Sequence, residues 1–304
     1  MAILIRVIET ALPVLAALLL GMFCREKSFL SREGVDALKK VVINITLPAV
    51  LVDAFATAQY DRSSVIIPVI LFLLCTLGLA LGLLLAKFLK LGRLPAFLAT
   101  GFEAGMLGYA LFALLYPEEP ASTFAILDLG QSLFVFTVYK GMLSGSGNRK
   151  TVVREIVTSP IIWAIAAGLL IGATGLYGCM EQLGVSGILD SVTGFISAPT
   201  GMIILMAVGY DLDLKQIQWK ETGWFILLRL ASMATLLGIL LVVNHVLLGG
   251  MLHTGAAVLL FLLPPPYVLP IFADDPSQRT KMSSAISALT LVTLILFAVM
   301  AVLV

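Results

Sequence analysis

The chain has 304 residues, 60% of them hydrophobic and 12% charged, with a mean hydropathy of +1.07 and a formal net charge of +1. No soluble fold can wet a surface of that composition, so the chain reads as an integral membrane protein. The near-neutral charge argues against a nucleic-acid partner, and the polar breaks are too short to hold a soluble catalytic domain.

A membrane-spanning helix needs about 20 predominantly apolar residues. Ten such segments follow one another, at residues 3–23, 41–58, 64–86, 95–116, 122–139, 160–177, 189–209, 223–244, 254–272 and 282–303. They lack the period-two alternation of barrel strands. The first runs straight into the polytopic region without a small-residue cleavage pattern, so it reads as a span rather than a removable leader. Basic residues gather in alternate breaks: Arg25, Lys27, Arg32, Lys39 and Lys40; Lys87, Lys90 and Arg93; Lys140, Arg149, Lys150 and Arg154; Lys215 and Lys220; Arg279 and Lys281. The intervening breaks carry acids such as Glu118, Glu119 and Glu181, and only Arg6 and Arg62 are basic on that side. By the positive-inside rule the basic breaks are cytoplasmic and both termini are external, which places a multi-pass protein in the cell's inner (plasma) membrane.

One pattern occurs twice. Pro48 to Tyr60-Asp61 ends a span in the first half as Pro199 to Tyr210-Asp211 does in the second. Pro13 and Gly21 correspond to Pro160 and Gly168, and the acids before Pro120 (Glu118, Glu119) to those before Pro276 (Asp274, Asp275). Five spans per half put the halves in opposite orientation, a construction shared by many secondary transporters. The expected fold is therefore all-α, with ten transmembrane helices as two inverted five-helix repeats. The first repeat covers 1–145, a polar cytoplasmic linker 146–156, and the second repeat 157–304.

The fourth span holds Gly101, Glu103, Gly105, Gly108 and Tyr109 near mid-membrane. Each glycine weakens a helix by roughly 1 kcal/mol relative to Ala, and lipid cannot satisfy a freed backbone group. An ionisable Glu103 at that depth must face a cavity, pair, or be protonated. The ninth span contains Pro264, Pro265, Pro266 and Tyr267, then Pro270. Consecutive prolines remove amide donors and clash with the preceding turn, so no continuous helix passes through them. Two broken spans in equivalent positions of an inverted repeat point to a transport site. Half-helix amino termini at their crossing suit a carboxylate, and protonation of Glu103 would remove its conflict with an anion.

Other polar groups carry weaker signals. Asn44 and Thr46 in the second span, and Asp128, Gln131 and Ser132 in the fifth, suit interhelical hydrogen bonds as well as ligand contact; Asn44 and Gln131 join the candidate solute-binding set. Asp53 and Asp128 are expected near the outer interface. Arg229 is placed about a turn inside its span, within snorkelling reach of the cytoplasmic surface. His245 and His253 fall at an external break. Cys24, Cys75 and Cys179 have neither metal nor redox spacing, and no metal or cofactor is expected.

Leu12-Pro13 through Gly21, Phe29-Leu30-Ser31 through Gly34, and Val41 through Asn44-Ile45-Thr46-Leu47-Pro48-Ala49 resemble the amino-terminal signature of the auxin efflux carrier family, which includes plant PIN proteins and bacterial permeases. The resemblance implies a scaffold of spans 1, 2, 6 and 7 that pairs into a homodimer. It also implies a transport domain of spans 3–5 and 8–10, with solute bound at the crossing of spans four and nine and carried by an elevator-like shift. Family substrates are organic anions. The chain departs from the family where an Asn, Thr, Gly run and a later Gly-x-Pro are usual, having Glu103-Ala104-Gly105 and Gly108-Tyr109-Ala110 instead. The long cytoplasmic loop of plant members is missing as well.

The leading expectation is a secondary active or potential-driven transporter of a small carboxylate-bearing solute, with proton or sodium as coupling ion and Glu103 as the proton-coupling candidate. A membrane sensor on the same fold is the alternative. Enzymatic activity is not expected, because one intramembrane Glu without a convergent nucleophile, base or metal cluster is too little.

Overall fold

A computed structural model describes residues 2–58, 60, 63–90, 92–143, 157–212, 217, 219–267, 269 and 276–303. The linker 146–156, the breaks' Arg62 and Lys215, Asp61, Asp274 and Asp275 of the repeated pattern, and Pro270 of the ninth span lie outside the described residues. Every regular element among the described residues is helical: α1 (Ala2–Glu26), α2 (Arg32–Val41), α3 (Leu47–Ala56), α4 (Ser63–Phe88), α5 (Leu94–Leu98), α6 (Tyr109–Leu115), α7 (Ala121–Phe134), α8 (Lys140–Leu143), α9 (Pro160–Ala173), α10 (Leu176–Gln182), α11 (Ser186–Ser197), α12 (Thr200–Asp211), α13 (Trp219–Val246), α14 (Thr254–Leu262) and α15 (Pro276–Leu303). Wide π-helical turns at Val42–Thr46 and Val135–Tyr139 join α2 to α3 and α7 to α8, and one at Ala104–Gly108 leads into α6.

Among the described residues, five helices are long and apolar enough to cross a membrane: Ser64–Phe88, Ala121–Tyr139, Ser186–Asp211, Thr222–Val246 and Lys281–Leu303. The pair Pro160–Ala173 and Leu176–Gln182, bent by 60°, makes a sixth if counted as one span. The fourth and ninth expected segments are not continuous helices. The fourth is interrupted between Leu98 and Ala104, and α14 stops at Leu262, where the proline run begins.

Glycines let the helices approach. α1 packs along α12, where a Cβ on Gly21 would lie 1.9 Å from the Met206 carbonyl oxygen and one on Gly209 only 2.1 Å from that of Leu18. α3 packs on α9, where a Cβ on Gly172 would fall 2.4 Å from the Phe55 oxygen. The first segment thus pairs with the seventh and the second with the sixth. α4 packs on α7 through Gly130, which faces the Pro68 carbonyl. With backbones this close, small residues convert helix contact into dense van der Waals packing where apolar burial gives little drive between helices.

The basic end of α1 and α2 is tied to the end of α12. Arg25 Nη1 donates to the carbonyls of Tyr210 (3.1 Å) and Leu212 (2.7 Å), while Arg32 (2.8 Å) and Lys39 both pair with Asp211. Ser31 caps α2 by accepting the Gly34 N–H at 3.1 Å.

Candidate functional site

The two interrupted segments meet. The backbone N–H of Glu103 donates to the Pro264 oxygen at 2.9 Å, and the N–H of Tyr267 donates to Glu103 Oε2 at 2.5 Å. Glu103 therefore joins one segment to the other through both its main chain and its carboxylate, and it is only 7% exposed. Gly101 has φ +71°, a backbone conformation L side chains avoid, and a Cβ there would meet the Pro266 ring at 3.2 Å. Gly108 closes the widened turn by donating to the Glu103 oxygen at 3.1 Å, and a Cβ on it would fall within 2.8 Å of Phe124 and Leu263. Phe102 and Phe261 pack their rings 4.8 Å apart across the junction.

Breaking two helices leaves carbonyls without amide partners, and an apolar surrounding makes each costly. At the end of α5, Thr100 Oγ1 donates to the Ala96 oxygen (2.9 Å), while Tyr139 Oη (2.7 Å) joins the Thr100 N–H (3.3 Å) on that of Phe97. At the end of α14, Thr293 Oγ1 donates to the Leu262 oxygen at 2.6 Å. Arg229 of α13 serves both ends: Nη1 donates to Leu98 O (2.9 Å), and Nη2 to Gly101 O (2.8 Å) and Leu263 O (2.6 Å). Its guanidinium also lies 5.9 Å from the centre of the Phe102 ring.

This corrects the snorkelling expectation. Arg229 is 3% exposed and turned into the protein, because three carbonyls from the broken segments lie within reach there. The cavity beside it is about 10 Å³, no more than one water requires.

Gln131 and Tyr109 reach the crossing through a polar group on α7. Gln131 Oε1 accepts the Phe102 N–H at 3.4 Å, and its Nε2 donates to Asp128 Oδ1 at 2.9 Å. Ser132 Oγ donates to the same oxygen at 2.9 Å, and Tyr109 Oη to Oδ2 at 3.2 Å. Asp128 is therefore a buried hub within the bundle. Its spacing of three and four residues from Gln131 and Ser132 puts all three on one helix face, the signal that could have found it.

Of the expected solute-binding set, Gly101, Glu103, Gly108, Tyr109, Gln131, Pro264, Pro266 and Tyr267 take part in this junction. Pro265 is buried within the same run, and Gly105 lies against Leu47, where a Cβ would sit 3.6 Å from Leu47 Cδ2. Asn44 is not brought to the crossing. It is exposed, and its Nδ2 donates to Lys40 O, one turn back in its own helix, at 2.7 Å. Asp53 pairs with Thr193 Oγ1 at 3.0 Å between the second and seventh segments.

An all-helical chain with two interrupted apolar segments meeting around buried ionisable groups defines a class, that of multi-pass membrane proteins with irregular backbone enclosed at depth. The chain is 27% identical over 217 residues to an uncharacterized transporter of Methanothermobacter thermautotrophicus, covering 68% of each chain. No family model matches it. The similarity and the apolar helices together support a membrane transporter.

Proposed function

We propose that the chain is a secondary active or potential-driven transporter of a small organic solute, built as a short member of the auxin efflux carrier family. Its ten spans form two inverted repeats, with 1–145 and 157–304 as the repeats and both termini external. The reciprocal pairing of the first segment with the seventh and the second with the sixth supports this reading, since a pseudo-two-fold relation exchanges those two pairs. Spans 1, 2, 6 and 7 form a dimerising scaffold, and spans 3–5 and 8–10 carry the solute in an elevator-like movement.

The observation that carries the proposal is the junction of the two interrupted segments at Glu103, Pro264 and Tyr267. A solute bound there would be held by the backbone groups and side chains of the break, with Gly105, Gly108, Tyr109, Gln131 and Pro264 to Tyr267 nearest to hand. The solute is carboxylate-bearing. Its entry is linked to protonation of Glu103, which removes the repulsion between two carboxylates and releases the Tyr267 N–H for the solute.

The test is a thermal-shift screen of purified protein against acetate, succinate, benzoate, glutamate and lysine, followed by counterflow of each stabilising compound in liposomes. Stabilisation with counterflow by a carboxylate is expected. Stabilisation without counterflow returns the sensor reading, and stabilisation by the carboxylate-free diamine putrescine alone, screened alongside them, overturns the carboxylate. A Glu103→Gln protein whose uptake and pH dependence equal the wild type would remove the proton linkage.

A further inference from the structure

We infer that Arg229 is the positioning residue of the crossing, a single fixed cation that locks the carboxyl ends of both broken helices and makes the two segments behave as one unit. Its three hydrogen bonds reach Leu98 O at the end of α5, Leu263 O just past the end of α14, and Gly101 O in the irregular stretch between α5 and the Ala104–Gly108 turn. A helix's carboxyl end carries partial negative charge on its unpaired carbonyls. Two such ends brought together repel, and one guanidinium set between them reverses the sign of that contact. Arginine suits the task because its planar fork directs several donors from one charge.

The arrangement also orders the crossing by charge. Arg229 occupies the carbonyl side, while Glu103 sits just before the Ala104–Gly108 turn and accepts an amide of the opposite segment. Arg229 holds the segments through carbonyls and leaves Glu103 to answer a proton or solute. The consequence for transport rests on the crossing being the solute site, whereas the lock itself does not. Without the lock each segment would open separately, and the bound geometry of Glu103 against Tyr267 would be lost.

The chain's three free cysteines provide the test. Cys75 is buried on the α4 face that also carries Gly78 and Gly82, and this face lies on Leu236 of α13, Thr100 and Ala96. It is thus beside the crossing. Cys24 is buried in a separate cluster with Val35, Met206 and Tyr210, and Cys179 is exposed. N-ethylmaleimide labelling of full-length protein in detergent, followed by peptide mass spectrometry, reads Cys75 for the crossing, Cys24 for the scaffold and Cys179 as the accessible control.

Arg229→Met should raise the Cys75 labelling rate by at least about tenfold with Cys24 unchanged, since a charge-assisted hydrogen bond is worth more than tenfold in a local opening equilibrium. Arg229→Lys, which keeps the charge and three donors, should restore most of the protection, and Arg229→Gln, which keeps donors without charge, should fall between. A side chain that only fills space predicts Met to be as well protected as Lys, and that result overturns the proposal. So does simultaneous exposure of Cys24 and Cys75 in all three variants, which would mean that Arg229 supports the whole fold rather than the crossing. Counterflow does not enter the readout, so failure of the transport proposal and failure of the lock are separable.

Discussion

The amide of Tyr267 donates to the carboxylate of Glu103 across 164 positions of sequence. The same Glu103 donates its own N–H to Pro264, so the acid of the fourth segment completes the backbone bonding of the ninth. Replacing it by Ala should leave the Tyr267 amide unpartnered and cost about 1–3 kcal/mol, whereas Gln retains an acceptor at the same reach and should cost less. Thermal unfolding in a fixed detergent checks this order. An Ala variant as stable as Gln would show that the Tyr267 bond contributes nothing.

At Gly101 two constraints coincide, a φ of +71° and the Pro266 ring 3.2 Å from the site of a Cβ. Gly101→Ala should cost about 1–2 kcal/mol from the left-handed backbone alone, with the ring contact added to it. The comparison is Gly92→Ala, also at positive φ (+75°) but with open space around it. Gly101→Ala should lower the melting temperature more than Gly92→Ala, the difference measuring the close approach of the two segments.

The interruptions were legible because their cause is local. Three successive prolines forbid a helix in any context, and glycines around an acid make one costly, so both breaks fall where the residues place them. Arg229 was illegible for the opposite reason. Its donors answer carbonyls of residues 98, 101 and 263, which come together only when both broken segments are in place. Sequence position left its direction open. Asn44 shows the same limit, since the sequence places its helix but not the side chain's exposure and its bond to Lys40 O.

Asp128 accepts hydrogen bonds from Tyr109, Gln131 and Ser132, and removing one donor should be felt by the others. Tyr109→Phe keeps the edge-to-face contact with Phe124, at 5.1 Å between ring centres, and deletes only the hydroxyl. It should cost about 1 kcal/mol, more than Phe-for-Tyr at an exposed position. In a double-mutant cycle with Asp128→Asn the two losses should fall short of additive, and strict additivity would show that the hydroxyl and carboxylate do not interact.

Glycine substitutions should separate scaffold contacts from free helix surface by the sign of their effect. A Cβ on Gly209 would stand 2.1 Å from the Leu18 carbonyl oxygen, which is backbone and cannot swing aside, so Gly209→Ala must part α1 from α12. That separation would also pull Arg25 from the carbonyls of Tyr210 and Leu212. Gly238 lies within α13 with nothing inside 4 Å of its would-be Cβ, so Gly238→Ala meets no neighbour and should gain about 0.5–1 kcal/mol from helix propensity. Size-exclusion yield and melting temperature of the two variants should move in opposite directions. A Gly209→Ala protein with wild-type yield would mean that α1 and α12 do not approach this closely, and the scaffold pairing would have to be redrawn.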